Sequence, residues 1–313
     1  MKGLWVVTGV LLALLFIGGP AADDARLYKG LWDFGHVVLF ALLVLLALRL
    51  PLLSKQPAWI LLLMVALLAP ALGLAIEYVQ LWVGRDFEYA DVLADSVGAF
   101  AGLALHYGLQ PRVVWRVRLV AWLGMSLLLL FALRSMLMVG LDQFNMREEF
   151  PVLADFETRF EMSRWDTNLA QLEVTREQAR YGEHALRVQF MAGEYPDITL
   201  LDFVRDWRGF KSVRFSIFST LNHPVAMELK MYDQQHAASG YDYADRFNRE
   251  LLVQPGWNDI EVNMDELQTA PRSRDMDLQN MQAFSVFIEQ LAQPAVFYFD
   301  ALRLSSKSSL DAP

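Results

Sequence analysis

The first 140 residues contain five long apolar runs, and these constrain the fold more than any other feature. A helix needs about 20 residues to cross the roughly 30 Å hydrocarbon core of a bilayer, because each residue adds about 1.5 Å. In lipid, backbone groups must be hydrogen-bonded internally, which favours helices. We therefore expect a membrane all-α helical bundle of about five transmembrane helices. The predicted spans are residues 4–19, 31–50, 58–83, 91–109 and 119–139.

The run 4–19 has a second interpretation. It is short for a span, follows Lys2 and precedes small residues before Asp23, and a cleaved signal peptide has the same pattern. In both interpretations the chain emerges outside the cytoplasm after this run.

Loop charges predict the orientation of the bundle. Cytoplasmic loops are enriched in Lys and Arg, and the loops after the second and fourth runs carry only basic charges. We therefore expect these loops and the amino terminus inside, and the segment after Val139 outside. The basic residues of the two loops are Arg49, Lys55, Arg112, Arg116 and Arg118.

Composition differs sharply between the two halves. Residues 1–140 carry a net charge of +2 and residues 141–313 one of −11, which together give −9. No basic stripe is present, so nucleic acid is not expected as a partner. The chain has no cysteine, which excludes disulfides, thiol nucleophiles and Cys-ligated zinc.

Polar side chains stand at the predicted outer ends of three runs. They occur in pairs three or four residues apart, so each pair shares a helix face, and Gly98 and Gly102 continue one stripe with a spacing that permits close helix contact. Ionisable groups in membrane helices are costly unless they face protein or water, so we expect this stripe inside the bundle. Solvated helix ends and N-caps are the alternative. The candidate ligand-binding residues are Asp33, Glu77, Gln80, Arg85, Asp91 and Asp95, and His36 is the candidate catalytic residue.

The pattern Glu77-Tyr-Val-Gln80, then Arg85, Asp91 and Gly98, resembles the VanZ-like family of small bacterial membrane proteins. That family has E-x-x-Q at a helix end, a turn with Arg, and a D-x-x-x-N helix containing glycine. The resemblance covers about residues 25–108. It implies a multi-pass protein of the bacterial inner membrane, a periplasmic second half, and a link to glycopeptide (teicoplanin) resistance, without specifying a reaction.

Two positions depart from the family pattern. The family has D-K-x-x-H early in one helix; His36 matches the histidine, but Trp32 stands four residues before it and Asp33 comes one position late. The family asparagine is Asp95 here. Roles that need the early acid or a neutral amide are therefore in question.

The second half shows short alternating strands separated by polar turns. This pattern indicates an all-β antiparallel sandwich. We divide the chain into a transmembrane domain (1–140), a linker (141–150), a β-sandwich (151–305) and a tail (306–313). The clearest strand patterns are residues 184–190, 212–218, 226–232, 258–264 and 295–304.

Weak landmarks along this half resemble a galactose-binding-like jelly roll, as in carbohydrate-binding modules. They are D-F-E (155–157), Y-G-E-H-A-L-R-V (181–188), D-W-R-G-F (206–210), P-G-W-N (255–258) and Y-F-D-A-L-R-L (298–304). In that family, acids of the first and last strands often hold a structural Ca²⁺, which makes Asp155, Glu157 and Asp300 candidate ligands. The alternative is that Asp300 caps a turn or bonds backbone. No other cofactor is expected.

A sugar site needs an aromatic face beside planar polar groups. Tyr241, Tyr243 and Arg246 supply this mixture in one loop, and Trp207 is a further candidate. Packing of the loop and of Trp207 within the sandwich is the alternative. Acids are plentiful, but spacing nominates no glycosidase pair.

Three functions remain open. The first is a non-enzymatic envelope protein that binds a polar headgroup at the outer face of its helices and glycan through its sandwich, with membrane lipids and envelope glycan or lipid-linked glycan as partners. Arg85 would pair a phosphate or carboxylate. The second is an enzyme on a lipid-linked substrate, which needs His36 within hydrogen-bond reach of Glu77 or Asp91. The third is a proton-coupled transport path.

Overall fold

The structure, a computed structural model, describes residues 6, 8–10, 12–13, 26–82 and 87–306. The chain divides into two compact units, Met1–Gly140 and Leu141–Pro313. Most of the predicted first span and the candidate residue Arg85 lie outside the described residues.

The first unit is helical. Within the described residues, four helices are long and apolar enough to cross a membrane, whereas the sequence predicts about five spans. The difference corresponds to the run 4–19, which is described only in part. The helices are α1 (Arg26–Ala47), a short α2 (Pro51–Ser54), α3 (Ala58–Trp82), α4 (Tyr89–Leu109) and α5 (Trp115–Glu149).

Glycines bring α1 and α4 into backbone contact. A Cβ added at Gly98 would overlap the main chain of Val37, and one at Gly102 would lie 2.6 Å from the carbonyl oxygen of Ala41. The G-x-x-x-G spacing therefore serves the close approach that the sequence predicts, because any side chain there would push the helices apart.

Helix α5 continues well past its predicted end at residue 139. It runs without a break to Glu149, so the predicted linker 141–150 is almost wholly helical. Its last turns belong to the second unit, where Met146 joins the core and Asp142 pairs with the buried Arg164. Hydropathy falls after residue 139 because these turns pack against protein.

The second unit is a sandwich of two antiparallel sheets, as predicted. One sheet has the order β3-β4-β11-β6-β9 with β1 beside β11, and the other has the order β2-β5-β10-β7-β8. Buried side chains such as Val188, Ile198 and Leu229 fill the space between them. The strands are β1 (Val152–Ala154), β2 (Trp165–Asn168), β3 (Ala170–Thr175), β4 (Ala185–Phe190), β5 (Asp197–Leu200), β6 (Ser212–Ser219), β7 (Val225–Asp233), β8 (Phe247–Val253), β9 (Gly256–Asn263), β10 (Met281–Phe287) and β11 (Ala295–Ser305).

Short helices connect the strands. One α-helical turn, α6 (Met264–Gln268), follows β9, and 3₁₀ turns lie at Glu161–Arg164, Gln234–Ser239 and Tyr243–Asp245. The last two turns form most of the connection between β7 and β8, which carries the predicted aromatic loop.

Candidate functional site

Three helices of the first unit bring polar side chains together. His36 of α1 lies between two carboxylates of α4: its Nδ1 is 3.0 Å from Asp95 Oδ1, and its Nε2 is 3.4 Å from Asp91 Oδ2. Helical spacing explains the geometry, because Asp91 and Asp95 are one turn apart on the face that α4 presents to α1. We call His36, Glu77, Asp91 and Asp95 the helix cluster.

Glu77 reaches this cluster from the end of α3. Its Oε2 accepts a hydrogen bond of 2.8 Å from the backbone N–H of Glu88, just before α4. Gly73, one turn earlier on α3, leaves room for Asp95, because a Cβ there would lie 2.8 Å from Asp95 Oδ2. The cluster is closed to solvent: its four side chains and Gln80 are at most 4% exposed.

Carboxylate oxygens in the helix cluster lack hydrogen-bond partners. Glu77 Oε1, Asp91 Oδ1 and Asp95 Oδ2 are buried and unpartnered. A buried acceptor without a donor is costly and needs an explanation. These three oxygens are therefore suited to a group rich in N–H or O–H donors.

The two neighbours of His36 restrict its chemistry. A neutral imidazole has one donor and one acceptor nitrogen, yet both nitrogens face carboxylate oxygens. An additional proton on the ring or on one carboxyl satisfies both contacts. In this arrangement His36 has no lone pair free to act as a general base.

The remaining candidates of this set are placed as follows. Asp33 is half-buried one turn before His36 on α1, and Gln80 is buried one turn after Glu77 on α3. The reach that a catalytic His36 requires is met by Asp91 and Asp95. The helices thus gather residues from three separate segments, as the sequence predicts.

Trp207 does not present a ring to a ligand. It is fully buried, packs 5.3 Å from the ring of Phe203, and donates from Nε1 to the carbonyl of Val204 at 3.0 Å. The alternative of core packing describes its place, and the prediction of a sugar platform at Trp207 is wrong.

The other three glycan candidates do lie together at the surface. Tyr241 and Tyr243 are 60% and 62% exposed, and the guanidinium of Arg246 lies 4.9 Å from the centre of the Tyr243 ring. The His236 ring lies between Tyr241, at 5.5 Å, and Tyr232 of β7, at 4.7 Å. The loop therefore continues directly into the five-stranded sheet.

An ion-pair network holds this loop in place. Arg274 donates to Asp233 at the end of β7 (2.8 Å) and to both carboxylate oxygens of Asp245 in the loop (2.7 and 2.8 Å). These hydrogen bonds from Arg274 lower the pKa of Asp245 and raise that of Arg274. Both carboxylates are buried, so the network fixes the loop relative to the sheet.

The outer face of the five-stranded sheet carries aromatic and charged groups. Glu228, Lys230 and Tyr232 alternate along β7 with buried core residues, and Phe287 of β10 pairs opposite Glu228. The Lys230 ammonium lies 5.8 Å from the centre of the Tyr232 ring and 5.9 Å from that of Phe287. We call this surface the Tyr232 face.

An exposed tyrosine stands at each end of the Tyr232 face. Tyr195 lies 6.2 Å from the Phe287 ring and Tyr241 lies beyond Tyr232. Their φ angles are 57° and 61°, a left-handed conformation that is uncommon for non-glycine residues. Such strain persists where surrounding structure imposes it, often at binding sites. Sequence reasoning missed Tyr195, Tyr232 and Phe287, although the alternation in 226–232 already places Tyr232 outward.

Polar groups on the same face are partly desolvated. Burial lowers the pKa of Lys230, and the nearby Arg246 lowers it further. Burial raises the pKa of Asp197 on β5, while Thr199 donates 2.8 Å to Ser285 of β10. The face therefore combines ring surfaces with hydrogen-bonding groups that can exchange water for a ligand.

The three candidate calcium ligands each accept hydrogen bonds from the protein. Asp300 Oδ2 accepts from the backbone N–H groups of Arg180 (2.6 Å) and Tyr181 (2.9 Å), which is the alternative role expected for it. Glu157 Oε1 accepts from two backbone N–H groups of 183–184, and Asp155 from the N–H of Glu157. Among the described residues, no group of three or more His, Cys, Asp or Glu side chains could hold a metal ion.

A buried acid that sequence reasoning missed organises the turn after β1. Glu161 accepts hydrogen bonds from the backbone N–H groups of Asp155, Phe156 and Thr158. The local sequence offers no signal that separates Glu161 from the exposed acids around it.

Comparisons with known proteins give likenesses for the second unit alone. No family model matches the chain, and no curated protein does. A family 11 carbohydrate-binding module from Clostridium thermocellum, solved with a β-1,3-1,4-mixed-linked tetrasaccharide, is 13% identical over 49% of this chain and 94% of that chain, with a TM-score of 0.39. The module CtCBM11 in solution is 17% identical over 50% and 95%, with a TM-score of 0.39. An exo-β-agarase is 16% identical over 51% of this chain and 25% of that chain, with a TM-score of 0.41.

Proposed function

We propose that the chain is a non-enzymatic integral membrane protein of the bacterial cell envelope that binds glycan through the Tyr232 face. The observation that carries this proposal is the row of rings formed by Tyr195, Phe287, Tyr232 and Tyr241, interrupted by Lys230, on one face of the sheet. Few soluble domains leave so many rings half-exposed on one surface without a binding role.

The chemistry of a sugar matches this surface. A pyranose offers C–H groups that pack on aromatic rings, and equatorial hydroxyls that bond planar polar groups at the ring edge. Glu228 and Phe287 pair across neighbouring strands, and Tyr232 lies four residues along β7 from Glu228. That length, about 13 Å at 3.3 Å per residue, accommodates several sugar units.

The helices supply the membrane part of the proposal. Four apolar helices of adequate length support a multi-pass protein, and the loop charges favour a cytoplasmic amino terminus with a periplasmic sandwich. The resemblance of Glu77-Tyr-Val-Gln80 and Asp91 to VanZ-like proteins supports a place in the inner membrane and a contribution to glycopeptide tolerance.

Binding to soluble polysaccharides tests the proposal. The full chain in detergent is run through native gels that contain β-glucan, galactan or soluble peptidoglycan, and retardation gives the affinity. Tyr232→Ala and Phe287→Ala should each weaken binding about tenfold or more, which corresponds to ~1.4 kcal/mol. Tyr181→Ala is the matched control, because Tyr181 is 53% exposed beside the six-stranded sheet. Unchanged affinity in both face variants would refute this surface, and no binding to any glycan would refute the function.

The helix cluster favours a second candidate, a site for a donor-rich lipid headgroup. Its support is the set of unpartnered oxygens on Glu77, Asp91 and Asp95 in an apolar bundle, because intramembrane ionisable groups are functional by default. Arg85 would then pair a phosphate or carboxylate of the same headgroup. Native mass spectrometry of co-purified lipids should show a species that Glu77→Gln and Arg85→Ala lose and Asp33→Asn retains. Identical lipid spectra for all variants would remove this candidate.

The enzymatic alternative with His36 as base is less well supported. Carboxylates occupy both of its nitrogens, and it is 1% exposed. A proton-coupled path remains the third alternative, since the helix cluster gathers four titratable groups.

A further inference from the structure

A second cavity of the helical unit lies away from the helix cluster. It is a groove of about 530 Å³ between α3, α4 and α5, and its walls are apolar. Leu62, Phe100, Leu103, Val120 and Leu127 are among the side chains that line it. Gly124 of α5 opens the wall, because a Cβ added there would meet no atom within 4 Å.

One end of the groove is surrounded by positive charge. Ala58 at the start of α3, Tyr107 in the last turn of α4 and Val117 in the first turn of α5 mark this end. The adjoining segments 48–57 and 110–118 contain five Lys or Arg residues and no acid. Arg112 and Arg116 are exposed there, and Arg116 directly precedes the lining residue Val117.

Tryptophans mark the same end. Trp59 and Trp115 are 65% and 66% exposed, next to Ala58 and Arg116 in the chain. Exposed Trp residues at helix ends are typical of the membrane–water interface. The charged end of the groove therefore lies at headgroup depth when the helices span a bilayer.

We propose that the groove binds one acyl chain of an anionic phospholipid, whose phosphate is held by Arg112 and Arg116. An apolar slot that ends in uncompensated arginines is complementary to this ligand and not to a zwitterionic lipid. The inference rests on the membrane part of the proposed function and is independent of glycan binding.

Lipid retention tests the inference. The full chain is reconstituted in vesicles of equal phosphatidylglycerol and phosphatidylcholine, extracted in mild detergent, and weighed by native mass spectrometry. We expect phosphatidylglycerol to be retained preferentially. Gly124→Trp fills the groove and should abolish retention, whereas Gly140→Trp, on the same helix and also without an atom within 4 Å, should not.

Charge variants separate the headgroup from the acyl chain. Arg112→Gln and Arg116→Gln should each reduce the preference for phosphatidylglycerol about fivefold, whereas Arg134→Gln, whose side chain lies on Phe131, should not. Equal retention of the two lipids by the unmodified chain, or retention by Gly124→Trp equal to that by Gly140→Trp, would overturn the inference.

The same preparations separate this inference from the proposed function. Gly124→Trp should still bind polysaccharide in the native gel, and Tyr232→Ala should still retain phosphatidylglycerol. Loss of lipid preference alone refutes the groove site, loss of glycan binding alone refutes the Tyr232 face, and release of the chain from vesicles by alkaline carbonate refutes both.

Discussion

The buried ion pair between Asp142 and Arg164 offers a sharp test of how the second unit is built. Arg164 donates from Nε and from its terminal nitrogen to Asp142 Oδ1 at 2.9 and 2.6 Å, and also to the carbonyl of Leu153 at 3.1 Å. Both charged side chains are 1% exposed. The pair joins the last turns of α5 to the sandwich.

Removing one partner leaves a buried charge without compensation. Asp142→Asn should lower the free energy of unfolding of the sandwich by about 3–5 kcal/mol. For a unit of this size that corresponds to a fall of ~6–20 °C in Tm. Asp206→Asn is the matched control, because Asp206 pairs with Arg208 at 2.7 Å while both are about half exposed. That pair should contribute less than about 1 kcal/mol.

Denaturant unfolding of the full chain in detergent, followed by near-ultraviolet circular dichroism of the sandwich, measures both variants. A double replacement, Asp142→Leu with Arg164→Met, should recover much of the loss, since apolar residues can replace a buried pair at little cost. Equal stability of Asp142→Asn and Asp206→Asn would refute the reasoning and would make residues 141–149 a linker in energetic terms.

Three further predictions follow from other contacts. Gly98→Ala should destabilise the bundle by about 1–3 kcal/mol in detergent titrations because its Cβ overlaps the α1 backbone, whereas Gly35→Ala, with open space, should not. Burial holds the pKa of His236 below its usual ~6.5, so sandwich stability should fall as pH drops below about 6.5, and His236→Phe should flatten this part of the curve. Arg274→Met leaves Asp233 and Asp245 unpaired and should cost about 3–5 kcal/mol in urea unfolding; an unchanged midpoint would contradict the network.

Sequence patterns anticipated much of the fold because each depends on local periodicity. Apolar runs of membrane length gave α1, α3 and α4 within a few residues, apart from an earlier start for α1. Alternation gave β4, β6, β7, β9 and β11, since successive side chains of a strand point to opposite faces. The end of α5 was mispredicted because hydropathy does not distinguish a membrane helix from its continuation packed on protein.

The helix cluster was predictable as a set but not in its pairing. Spacing placed His36, Asp91 and Asp95 on helix faces, and Gly98 and Gly102 identified the face of α4 that another helix approaches. Which carboxylate meets which ring nitrogen depends on the rotation of α1 against α4. That rotation is set by the Val37 and Ala41 backbone contacts, which no local pattern contains.

The sequence by itself determined that the chain has apolar helices followed by an antiparallel sandwich, because hydropathy and alternation are properties of neighbouring residues. Tertiary structure alone decided that Trp207 is core, that Tyr195 and Phe287 lie on the face of Tyr232, and that Glu161 organises a turn. These outcomes depend on packing and hydrogen bonds between segments far apart in the chain, where burial, and not residue type, decides what a side chain can contact.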